Sequence, residues 1–433
     1  MLMKVKTLRI LSAGVLLALL VFTAPATEAA AFAIFEQGAK AMGMAGAFAA
    51  QADDPSAMYY NPGGLAMFSE RSFYGGASAV RLGDVDFTGL APFPGPGQTG
   101  TQRSQTLLVP HFYWVEPLRS DLNLGVGINA PFGLTTEWDN PDQWSGRFIS
   151  EKAALRAIDL NLALGWRVNK RTGLAFGIIV RNSDLELRRR KAANNPFTQT
   201  TVDVARVKLE GGFDRGYGFT FGVLQKINDR ISWGLAYRSQ IDVDYSGDAT
   251  FTQIMTGNAT FDAIVAAALP ANQPVDTGID FPERATLGFA YRAADELLVE
   301  IDAIWWGWSS FASLDLTFPN TPDGSLNQSF AEEYDDSMTF RLGLSWNQSD
   351  IAQWRFGYYI DESPQPAEST GPLLPDADRQ GLTVGYGRRG DRLQWDFYLL
   401  YVMLDDRTTT VNRDNFDGKY EGTTLLLGAT VGW

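Results

Sequence analysis

The chain of 433 residues contains no cysteine and a single histidine. These two scarcities exclude disulfide frameworks, thiol nucleophiles and the usual zinc and haem sites, so no metal or other cofactor is expected. Lysine and arginine number 36 against 50 aspartates and glutamates, and the resulting net charge of −14 argues against a nucleic-acid-binding protein. Beyond residue 30 no segment approaches the roughly 20 consecutive apolar residues of a membrane-spanning helix.

What the chain has in abundance is aromatic residues and glycine. Aromatic side chains make up 12% of the sequence, and glycine accounts for 43 residues. Aromatic residues favour strands, and glycine is frequent where strands turn or bend. The composition therefore favours a protein built from many strands joined by turns.

The N-terminal residues 1–30 have the three parts of a secretory signal peptide. Lys4, Lys6 and Arg9 form a positive region, an apolar run follows at 10–22, and small residues at 24–31 offer cleavage sites of the A-x-A type. The apolar run is too short to span a membrane as a helix. We therefore expect residues 1–30 to be removed and the mature chain to be exported.

From about Arg71 onward, apolar residues alternate with small or polar ones in fourteen segments. Alternation with a period of two predicts strands that bury only one face. The clearest segments are 158–166, 340–346 and 425–433. Soluble sandwiches and propellers show the same pattern, so alternation alone does not identify the architecture.

The lengths of the connections separate these architectures, because short and long connections alternate strictly along the chain. The short ones lie near residues 117–120, 169–171, 228–230, 293–295, 347–352 and 389–391. The long ones lie near residues 82–103, 131–152, 191–202, 247–282, 318–335, 362–379 and 407–419. Short turns at one end, long loops at the other and an even strand number are typical of outer-membrane barrels. The sequence therefore predicts an all-β fold: a 14-stranded antiparallel transmembrane β-barrel over residues 71–433, in the outer membrane of a Gram-negative bacterium.

Tryptophan placement gives an independent indication of a membrane barrel. Seven of the twelve tryptophans lie near a short turn or at the C-terminus, on the apolar phase of their segments: Trp114, Trp166, Trp233, Trp346, Trp354, Trp395 and Trp433. A ring of indoles is expected at the lipid headgroup level of such a barrel. The terminal Trp433 also resembles the signal that the barrel-assembly machinery reads, so we expect it to act in assembly.

A glycine- and alanine-rich segment, 31–70, precedes the first strand and lacks sustained alternation. Its sequence resembles the N-terminal hatch of the FadL/TodX family of outer-membrane transporters for long-chain fatty acids and aromatic hydrocarbons. A second match, 130–134 followed by 144–148, resembles the family's segment after the third strand. The hatch residues that carry the resemblance are Gly38, Gly43, Gly46, Asp53, Asp54, Pro55, Asn61, Pro62 and Gly63.

The resemblance implies a mechanism as well as a fold. In this family a hydrophobic ligand is collected by extracellular loops, enters an apolar pocket in the barrel, and leaves sideways into the membrane at a kink in the third strand. We therefore expect residues 31–70 to fill the lumen, and the ligand to be a long-chain fatty acid or an aromatic or aliphatic hydrocarbon. Two residues depart from the family pattern: Gly63 stands where alanine is usual, and Lys40 where arginine is usual.

The third predicted strand contains candidates for the kink. Proline cannot donate to a strand ladder and glycine weakens one, so pairing should lapse near Pro131. A plain strand end would explain the same residues, and that alternative stays open. The residues assigned to a lateral exit are Gly125, Gly127, Asn129, Pro131, Phe132 and Gly133.

The longest loop, 247–282, carries apolar residues at helical spacing. An apolar helix in an extracellular loop either packs on a neighbour or binds a ligand. The predicted capture surface consists of Phe261, Ile264, Val265 and Leu269, and packing on the loop 191–202 is the alternative.

Charged residues lie on the phase of the strands that faces the lumen, namely Arg181, Arg238, Glu300, Asp302, Arg341, Arg355 and Asp396. A fatty-acid carboxylate would need one or two cations in an apolar pocket. We expect most of these charges to pair with each other or with the hatch instead. The acidic loop residues Glu332, Glu333, Asp335 and Asp336 are expected to form a solvated face that could bind divalent cations.

Two other functions are considered. One is a channel for polar solutes, which requires residues 32–70 to lie outside the lumen. The other is an outer-membrane hydrolase, but His111 is the only imidazole and no G-x-S-x-G motif accompanies it. We therefore expect a non-enzymatic, monomeric transporter whose partners are a hydrophobic ligand, outer-membrane lipid and lipopolysaccharide and, during insertion, the barrel-assembly machinery.

Overall fold

The computed structural model describes residues 31–82 and 85–433. The predicted signal peptide, residues 1–30, lies outside these described residues. Fourteen antiparallel strands form the wall of the molecule, and we number them in chain order. They are β1 (Ser72–Leu82), β2 (Gln105–Arg119), β3 (Leu122–Glu137), β4 (Lys152–Asn169), β5 (Thr172–Asn195), β6 (Thr200–Lys226), β7 (Ile231–Arg238), β8 (Arg284–Ala294), β9 (Leu297–Trp306), β10 (Ser337–Asn347), β11 (Ala352–Asp361), β12 (Arg379–Arg389), β13 (Gln394–Leu404) and β14 (Thr423–Gly432).

The wall is a closed ring, because every strand pairs with its sequence neighbours and the last strand pairs with the first. The closing pair is antiparallel and runs from Tyr74↔Gly432 to Leu82↔Thr424. A closed ring leaves no strand edge, which is the condition for crossing a bilayer with strands. The predicted 14-stranded antiparallel barrel is confirmed.

The predicted alternation separates the two faces of the wall. On β4, the side chains of Ile158, Leu160, Leu162, Leu164 and Trp166 are 39–49% exposed to the outside. The residues between them face the lumen, and Asp159, Asn161 and Ala163 are buried there. Apolar side chains therefore coat the outer surface, and small or polar ones face inward, as in membrane barrels.

The short connections match the prediction, whereas several of the long ones contain strands and are more ordered than expected. The predicted loop 191–202 is wrong, because β5 and β6 continue as a hairpin up to Asn195↔Thr200. In the predicted loop 247–282, two further strands, Ile241–Gln253 and Gln273–Phe281, pair with each other, and the first also pairs with the upper half of β6. On the strand Ile241–Gln253, Ile241, Val243 and Tyr245 are buried whereas Asp242 and Asp244 are exposed, so this strand turns its polar face outward, unlike a lipid-facing strand.

The tryptophan ring lies at the short-turn end of the barrel. Trp166, Trp346, Trp395 and Trp433 are 45–53% exposed, and Trp114, Trp233 and Trp354 are half-buried. Neighbouring strands bring members together, as in the cross-strand pair Trp346↔Trp354. In the described part of the chain, no helix is long and apolar enough to cross a membrane.

Residues 31–70 lie inside the ring, and we call this segment the hatch. It contains two short helices, α1 (Ala39–Met42) and α2 (Ala57–Tyr60), followed by a 3-10 helix at Pro62–Met67. Nearly all of its side chains between residues 37 and 66 are buried. The hatch therefore occupies the lumen rather than extending from it.

Candidate functional site

The hatch is held to the wall by buried carboxylates of β9. The carboxylate of Asp302 accepts hydrogen bonds from the backbone N–H groups of Phe48 and Ala49, at 2.9 and 3.0 Å. The carboxylate of Glu300 accepts from Ala50 and Gln51, at 2.6 and 3.3 Å. These bonds satisfy backbone groups that would otherwise be buried without a partner. A turn of the hatch is thereby fixed to one side of the barrel.

The hatch motif supplies further anchors. The Asn61 side-chain amide donates to the carbonyl oxygens of Ala49 within the hatch and Val223 in β6, at 2.6 and 2.9 Å. Its carbonyl oxygen accepts from the backbone N–H of Gly63, and this bond opens the 3-10 helix that begins at Pro62. A single asparagine therefore joins two parts of the hatch to the wall.

The two departures from the family pattern both have a structural role here. A Cβ atom at Gly63 would lie 2.7 Å from the backbone nitrogen of Leu224 in β6, so alanine would collide with the wall. The Lys40 ammonium forms an ion pair of 2.6 Å with Asp53 inside the hatch. The remaining acidic motif residue, Asp54, accepts from the backbone N–H of Ser56 at 2.7 Å. The motif thus folds the hatch and also fits it to β6.

A belt of inward-facing glycines lets the hatch backbone approach the wall. At nine positions, a Cβ atom on the wall would come within 3.0 Å of an atom of hatch residues 43–66. The nine residues, on nine different strands, are Gly125, Gly165, Gly173, Gly222, Gly234, Gly288, Gly343, Gly357 and Gly385. Glycine is the residue that permits close approach of another backbone. We call these residues the glycine belt.

The charged residues of the lumen pair with one another or bind the hatch, as expected. Arg181 makes a two-pronged ion pair with Asp159, at 2.8 and 2.9 Å, and Arg238 joins the same carboxylate at 3.0 Å. On the other side of the lumen, Arg355 pairs with Asp396 at 2.6 Å. Arg341 donates to the carbonyl oxygen of Ala45 in the hatch. These arginines stabilise the wall and the hatch.

The start of the hatch lies in an aromatic cluster. The Phe32 ring packs against Trp308, Phe311 and Phe132, with centroid separations of 4.8, 5.6 and 6.0 Å. The Arg181 guanidinium lies 4.6 Å from the centroids of Phe132 and Phe281, behind this cluster. The cluster is formed by aromatic rings, and the cation packed against it, Arg181, is already paired to Asp159.

The wall between β2 and β3 has a gap. The two strands pair from Arg119↔Leu122 to His111↔Asn129, and contact resumes only at the bridge Gln102↔Trp138. Between these points, β3 keeps its pairing with β4 through a bulge at residues 130–131. The lapse predicted at Pro131 is therefore found on the β2 side alone. We call the interval beside residues 130–137 the wall gap.

The hatch fills the wall gap as a substitute strand. Ala33 forms a bridge with Phe132, the N–H of Ile34 donates to the carbonyl oxygen of Pro131 at 2.8 Å, and the N–H of Gly133 donates to that of Phe32 at 3.0 Å. These bonds replace those that β2 would have made. Two backbone groups in the gap, the carbonyl of Pro131 and the N–H of Gly133, are thus satisfied by a segment of the hatch.

Two of the residues assigned to the exit lie elsewhere. Gly125 and Gly127 are in the paired part of β3, opposite Val115 and Tyr113 of β2. A Cβ atom at Gly125 would collide with Met58 of the hatch, and one at Gly127 would lie 2.9 Å from the Tyr113 ring. Both glycines face the lumen and make room for the hatch, so their assignment to the exit is wrong.

Two of the cavities on the long-loop side of the hatch adjoin each other. The larger, of about 270 Å³, we call the outer groove. Its apolar lining includes Ile149, Leu187, Leu209, Leu314, Leu316, Phe330 and Leu373, and its charged lining comprises Arg188, Arg189, Glu332, Glu368, Arg413 and Asp414. The smaller, of about 40 Å³, we call the inner cavity; it reaches Phe32 and Leu155 in the barrel. Leu187, Leu314, Glu332 and Leu373 line both, so the cavities adjoin.

The loop helix is present but does not form the predicted capture surface. Helix α3 (Ala259–Ala268) packs Phe261 and Val265 against Val204 in the β5–β6 hairpin. Leu269 packs with a separate cluster, and only Ile264 is exposed, at 52%. The four residues therefore do not share one open face, and packing on the 191–202 segment is the outcome.

Two remaining sequence candidates are also located. His111 is buried on the lumen side of β2, and its Nε2 lies 2.9 Å from the Thr430 hydroxyl. Of the four acidic loop residues, Glu333, Asp335 and Asp336 are exposed as expected. Glu332 is not: it is 7% exposed, and burial raises its pKa to about 8, with the Asp414 carboxylate contributing.

A closed 14-stranded barrel with an apolar outer surface and a filled lumen defines an outer-membrane protein of a Gram-negative bacterium. Residues 20–433 match the family model described as "Outer membrane protein transport protein (OMPP1/FadL/TodX)". The chain therefore belongs to the OMPP1/FadL/TodX family.

Individual relatives agree with this assignment. The long-chain fatty acid transport protein of Shigella flexneri is 26% identical over 406 residues, which are 88% of this chain and 89% of the relative. Outer membrane protein P1 of Haemophilus influenzae is 25% identical over 402 residues, 84% of each chain. The solved structure of a Pseudomonas aeruginosa FadL homologue superposes with a TM-score of 0.81 at 21% identity, covering 93% of this chain and 99% of that one. The toluene transporter TodX of Pseudomonas putida gives 0.70 at 15% identity, covering 92% and 99%.

Sequence reasoning missed the glycine belt and the burial of Glu332. The belt has a readable signal, because each of its glycines falls on the lumen phase of an alternating strand. Glu332 has none, since its two chain neighbours, Ala331 and Glu333, are both exposed. Its position depends on contacts between loops far apart in sequence.

Proposed function

We propose that this protein carries hydrophobic small molecules across the outer membrane, collecting them in the outer groove and releasing them sideways through the wall gap. The observation that carries the proposal is the wall gap itself, which is closed in part by hatch residues 32–34 and lies beside an apolar cavity. A ligand that prefers hydrocarbon to water gains by entering the membrane directly instead of the periplasm. Relatives named for long-chain fatty acids and for toluene support the ligand class.

Capture begins in the outer groove. Its volume of about 270 Å³ is close to that of small-molecule sites. Leucine, isoleucine and phenylalanine side chains line it together with charged side chains, of which Glu368, Arg413 and Asp414 are exposed to solvent. This arrangement suits a molecule whose hydrocarbon part is buried and whose entry side faces water.

Passage inward requires the start of the hatch to move. The inner cavity, at about 40 Å³, is smaller than the 150 Å³ or so that holds a benzene molecule. Phe32 lines this cavity, and the adjoining residues Ala33 and Ile34 close the wall gap. A ligand that displaces Phe32 therefore also loosens the segment that closes the gap. Entry of the ligand into the inner cavity is in this way coupled to its release through the wall gap.

The polar-solute channel is less well supported. That hypothesis requires residues 32–70 to lie outside the lumen, whereas the hatch lies inside it, hydrogen-bonded to β9 and β6. The space on the short-turn side between hatch and wall, about 700 Å³, is polar but ends at the hatch.

A disulfide lock tests the lateral route. Ala33 and Phe132 face each other as a non-hydrogen-bonded antiparallel pair, for which Cα atoms lie about 4.5 Å apart, within the range that a disulfide bridges. The chain has no other cysteine. In the double variant Ala33→Cys/Phe132→Cys, oxidation should stop uptake of a radiolabelled hydrocarbon by whole cells, and a reductant should restore it.

The single variants Ala33→Cys and Phe132→Cys are the matched controls, because they cannot form the bridge and should respond to neither oxidant nor reductant. Heat-modifiable mobility of all three variants verifies that the barrels are folded. Full uptake by the oxidised double variant, with the disulfide demonstrated by mass spectrometry, would refute lateral release and favour release past the hatch into the periplasm.

A further inference from the structure

The outer surface of β4, β5 and β6 changes from apolar to charged toward the long loops. On β4, Ile158 faces lipid and is 39% exposed, and Arg156, two residues nearer the loops on the same face, has a side chain that is 67% exposed. On β6, Phe219 and Tyr217 are exposed, and Arg215 follows them on the same face. The apolar surface that contacts the membrane core therefore ends in an arginine on both strands.

Further from the membrane, three cations lie side by side. Lys152, Arg188 and Lys208 occupy directly opposite positions on β4, β5 and β6, and we call them the upper row. Like charges in opposite positions repel and destabilise a sheet. Glu186 pairs with both Lys152 and Arg188, and Glu210 pairs with Lys208. Since one carboxylate serves two of the three cations, the upper row keeps an excess of positive charge.

Arg156 and Arg215, the cations nearest the lipid-facing surface, we call the lower pair. Arg156 pairs with Asp184 at 2.8 Å, and its guanidinium lies 5.5 Å from the ring centroid of Phe213. Arg215 donates to the side-chain oxygen of Asn182 at 3.1 Å. Among residues 31–82 and 85–433, Arg215 forms no ion pair. The lower pair therefore has one carboxylate for two guanidinium groups.

We call the outward-facing charged residues of β4, β5 and β6 beyond the lipid-facing surface the basic face. Its cations are Lys152, Arg156, Arg188, Arg206, Lys208 and Arg215, and its acids are Asp184, Glu186 and Glu210. A nearby loop acid, Asp142, lies 3.8 Å from Arg206 but also pairs with Arg190. Cations therefore exceed acids on this face, although the whole chain carries a net charge of −14. The adjoining strand Ile241–Gln253 bounds the face on one side, because it turns aspartates outward.

We propose that the basic face binds the phosphate groups of a lipopolysaccharide molecule in the outer leaflet of the membrane. The long loops of an outer-membrane barrel face the outside of the cell, and the basic face lies on their side. The acyl chains of the lipid lie on the apolar surface around Ile158 and Phe219. The lower pair binds a phosphate of lipid A, and the upper row binds phosphate on the inner core sugars. A guanidinium group suits this partner because it can donate two parallel hydrogen bonds to one phosphate.

The distance between the two levels favours lipopolysaccharide over a phospholipid. Asp184, which is opposite Arg156, and Arg188 of the upper row are four residues apart on β5, which is about 13 Å along the strand. One phosphate cannot contact both levels, whereas lipid A and a phosphorylated core sugar of the same molecule can. The ion pairs that now hold these cations are exposed and therefore weak, so exchanging a carboxylate for a phosphate costs little.

Binding to the purified barrel in detergent tests the proposal. Rough-type lipopolysaccharide, which consists of lipid A and a phosphorylated inner core, is compared with the same material after removal of its phosphates and with phosphatidylglycerol, which has one phosphate. EDTA is present throughout, so that divalent cations cannot bridge phosphate to the acidic residues. The natural chain should bind the intact lipopolysaccharide at least about tenfold more tightly than either comparison lipid, because several charge-assisted contacts are lost in both.

Two multiple variants divide the basic face. Arg156→Gln/Arg215→Gln removes the lower pair, Lys152→Gln/Arg188→Gln/Lys208→Gln removes the upper row, and each should weaken binding of the intact lipopolysaccharide by about tenfold. The matched control is Arg119→Gln on the short-turn side, because Arg119 is 63% exposed and pairs with Asp121 much as Arg156 pairs with Asp184. The affinity of this control should be unchanged. Heat-modifiable mobility verifies that all variants are folded.

The proposal requires phosphate and both levels of the basic face. Equally tight binding of the dephosphorylated material or of phosphatidylglycerol, or unchanged affinity in either multiple variant, would overturn it. A similar loss in Arg119→Gln would also overturn it, since net charge alone would then explain the effect. Because the readout is lipid binding and not uptake, the result is independent of the proposed transport function.

Discussion

Removing the Asp302 carboxylate should loosen the hatch without opening the wall. Its oxygen accepts two buried backbone N–H groups, at 2.9 and 3.0 Å. Leaving a buried donor unsatisfied costs about 1–3 kcal/mol, so Asp302→Ala should weaken hatch docking by about 2–6 kcal/mol. The variant also no longer buries a carboxylate, which offsets part of this loss. The expected net effect is about 2–4 kcal/mol, or roughly thirty- to several-hundred-fold in the population of undocked hatch.

Single-channel recording in planar bilayers measures this population as the fraction of time spent in conducting states. Asp302→Ala should raise that fraction, and Asp302→Asn, which keeps an acceptor oxygen, should raise it less. Ile301→Ala is the matched control, because its side chain is on the same strand but faces lipid, 44% exposed. Equal open fractions in Asp302→Ala and Ile301→Ala, with both barrels folded, would refute the view that this carboxylate holds the hatch.

Three further results are expected. Deleting residues 36–65 should produce a large, steady conductance in bilayers, because it empties the lumen, and an unchanged small conductance would contradict the plug. Trp433→Ala should lower the amount of heat-modifiable barrel in the outer membrane, because the assembly machinery is expected to recognise the exposed aromatic at the end of β14. Normal levels of folded barrel with reduced uptake would contradict this role in assembly. Dodecane uptake should decline as pH rises through about 8, because the raised pKa of Glu332 keeps it neutral below that pH and ionisation above it draws water into the passage between the outer groove and the inner cavity; the decline should be absent in Glu332→Gln.

The strands were predictable because the polarity of each side chain depends on whether it faces lipid or the lumen. In 158–166, lipid-facing and lumen-facing residues differ so strongly in polarity that the period of two is plain. The same reasoning failed at 191–195, where the hairpin stands clear of the bilayer and the difference between its faces disappears. The helix at 259–268 was predictable by periodicity, but which of its residues remain open depends on the hairpin opposite.

Residues of the site were predictable only where they belong to a motif that is continuous in the sequence. Asn61 and Pro62 were found by resemblance, and the structure adds what they contact. The wall gap was anticipated at Pro131, yet its closure by Ala33 joins segments about a hundred residues apart, which no local pattern records. For the same reason Gly125 was read as part of the exit, when its role is to leave space for Met58.

Because of the glycine belt, the inner surface of the barrel is complementary in shape to the backbone of the hatch. Where the wall carries no side chains, shape is matched between two backbones, as at Gly234 against Ala49 and Gly357 against Ala45. Neither surface can gain bulk alone: a methyl group added to the wall must be compensated by a recess in the hatch, and the small residues of the two segments are therefore expected to change together. A hatch grafted from a relative would then fit this barrel only if it brought a backbone of the same contour, however similar its hydrogen-bonding residues.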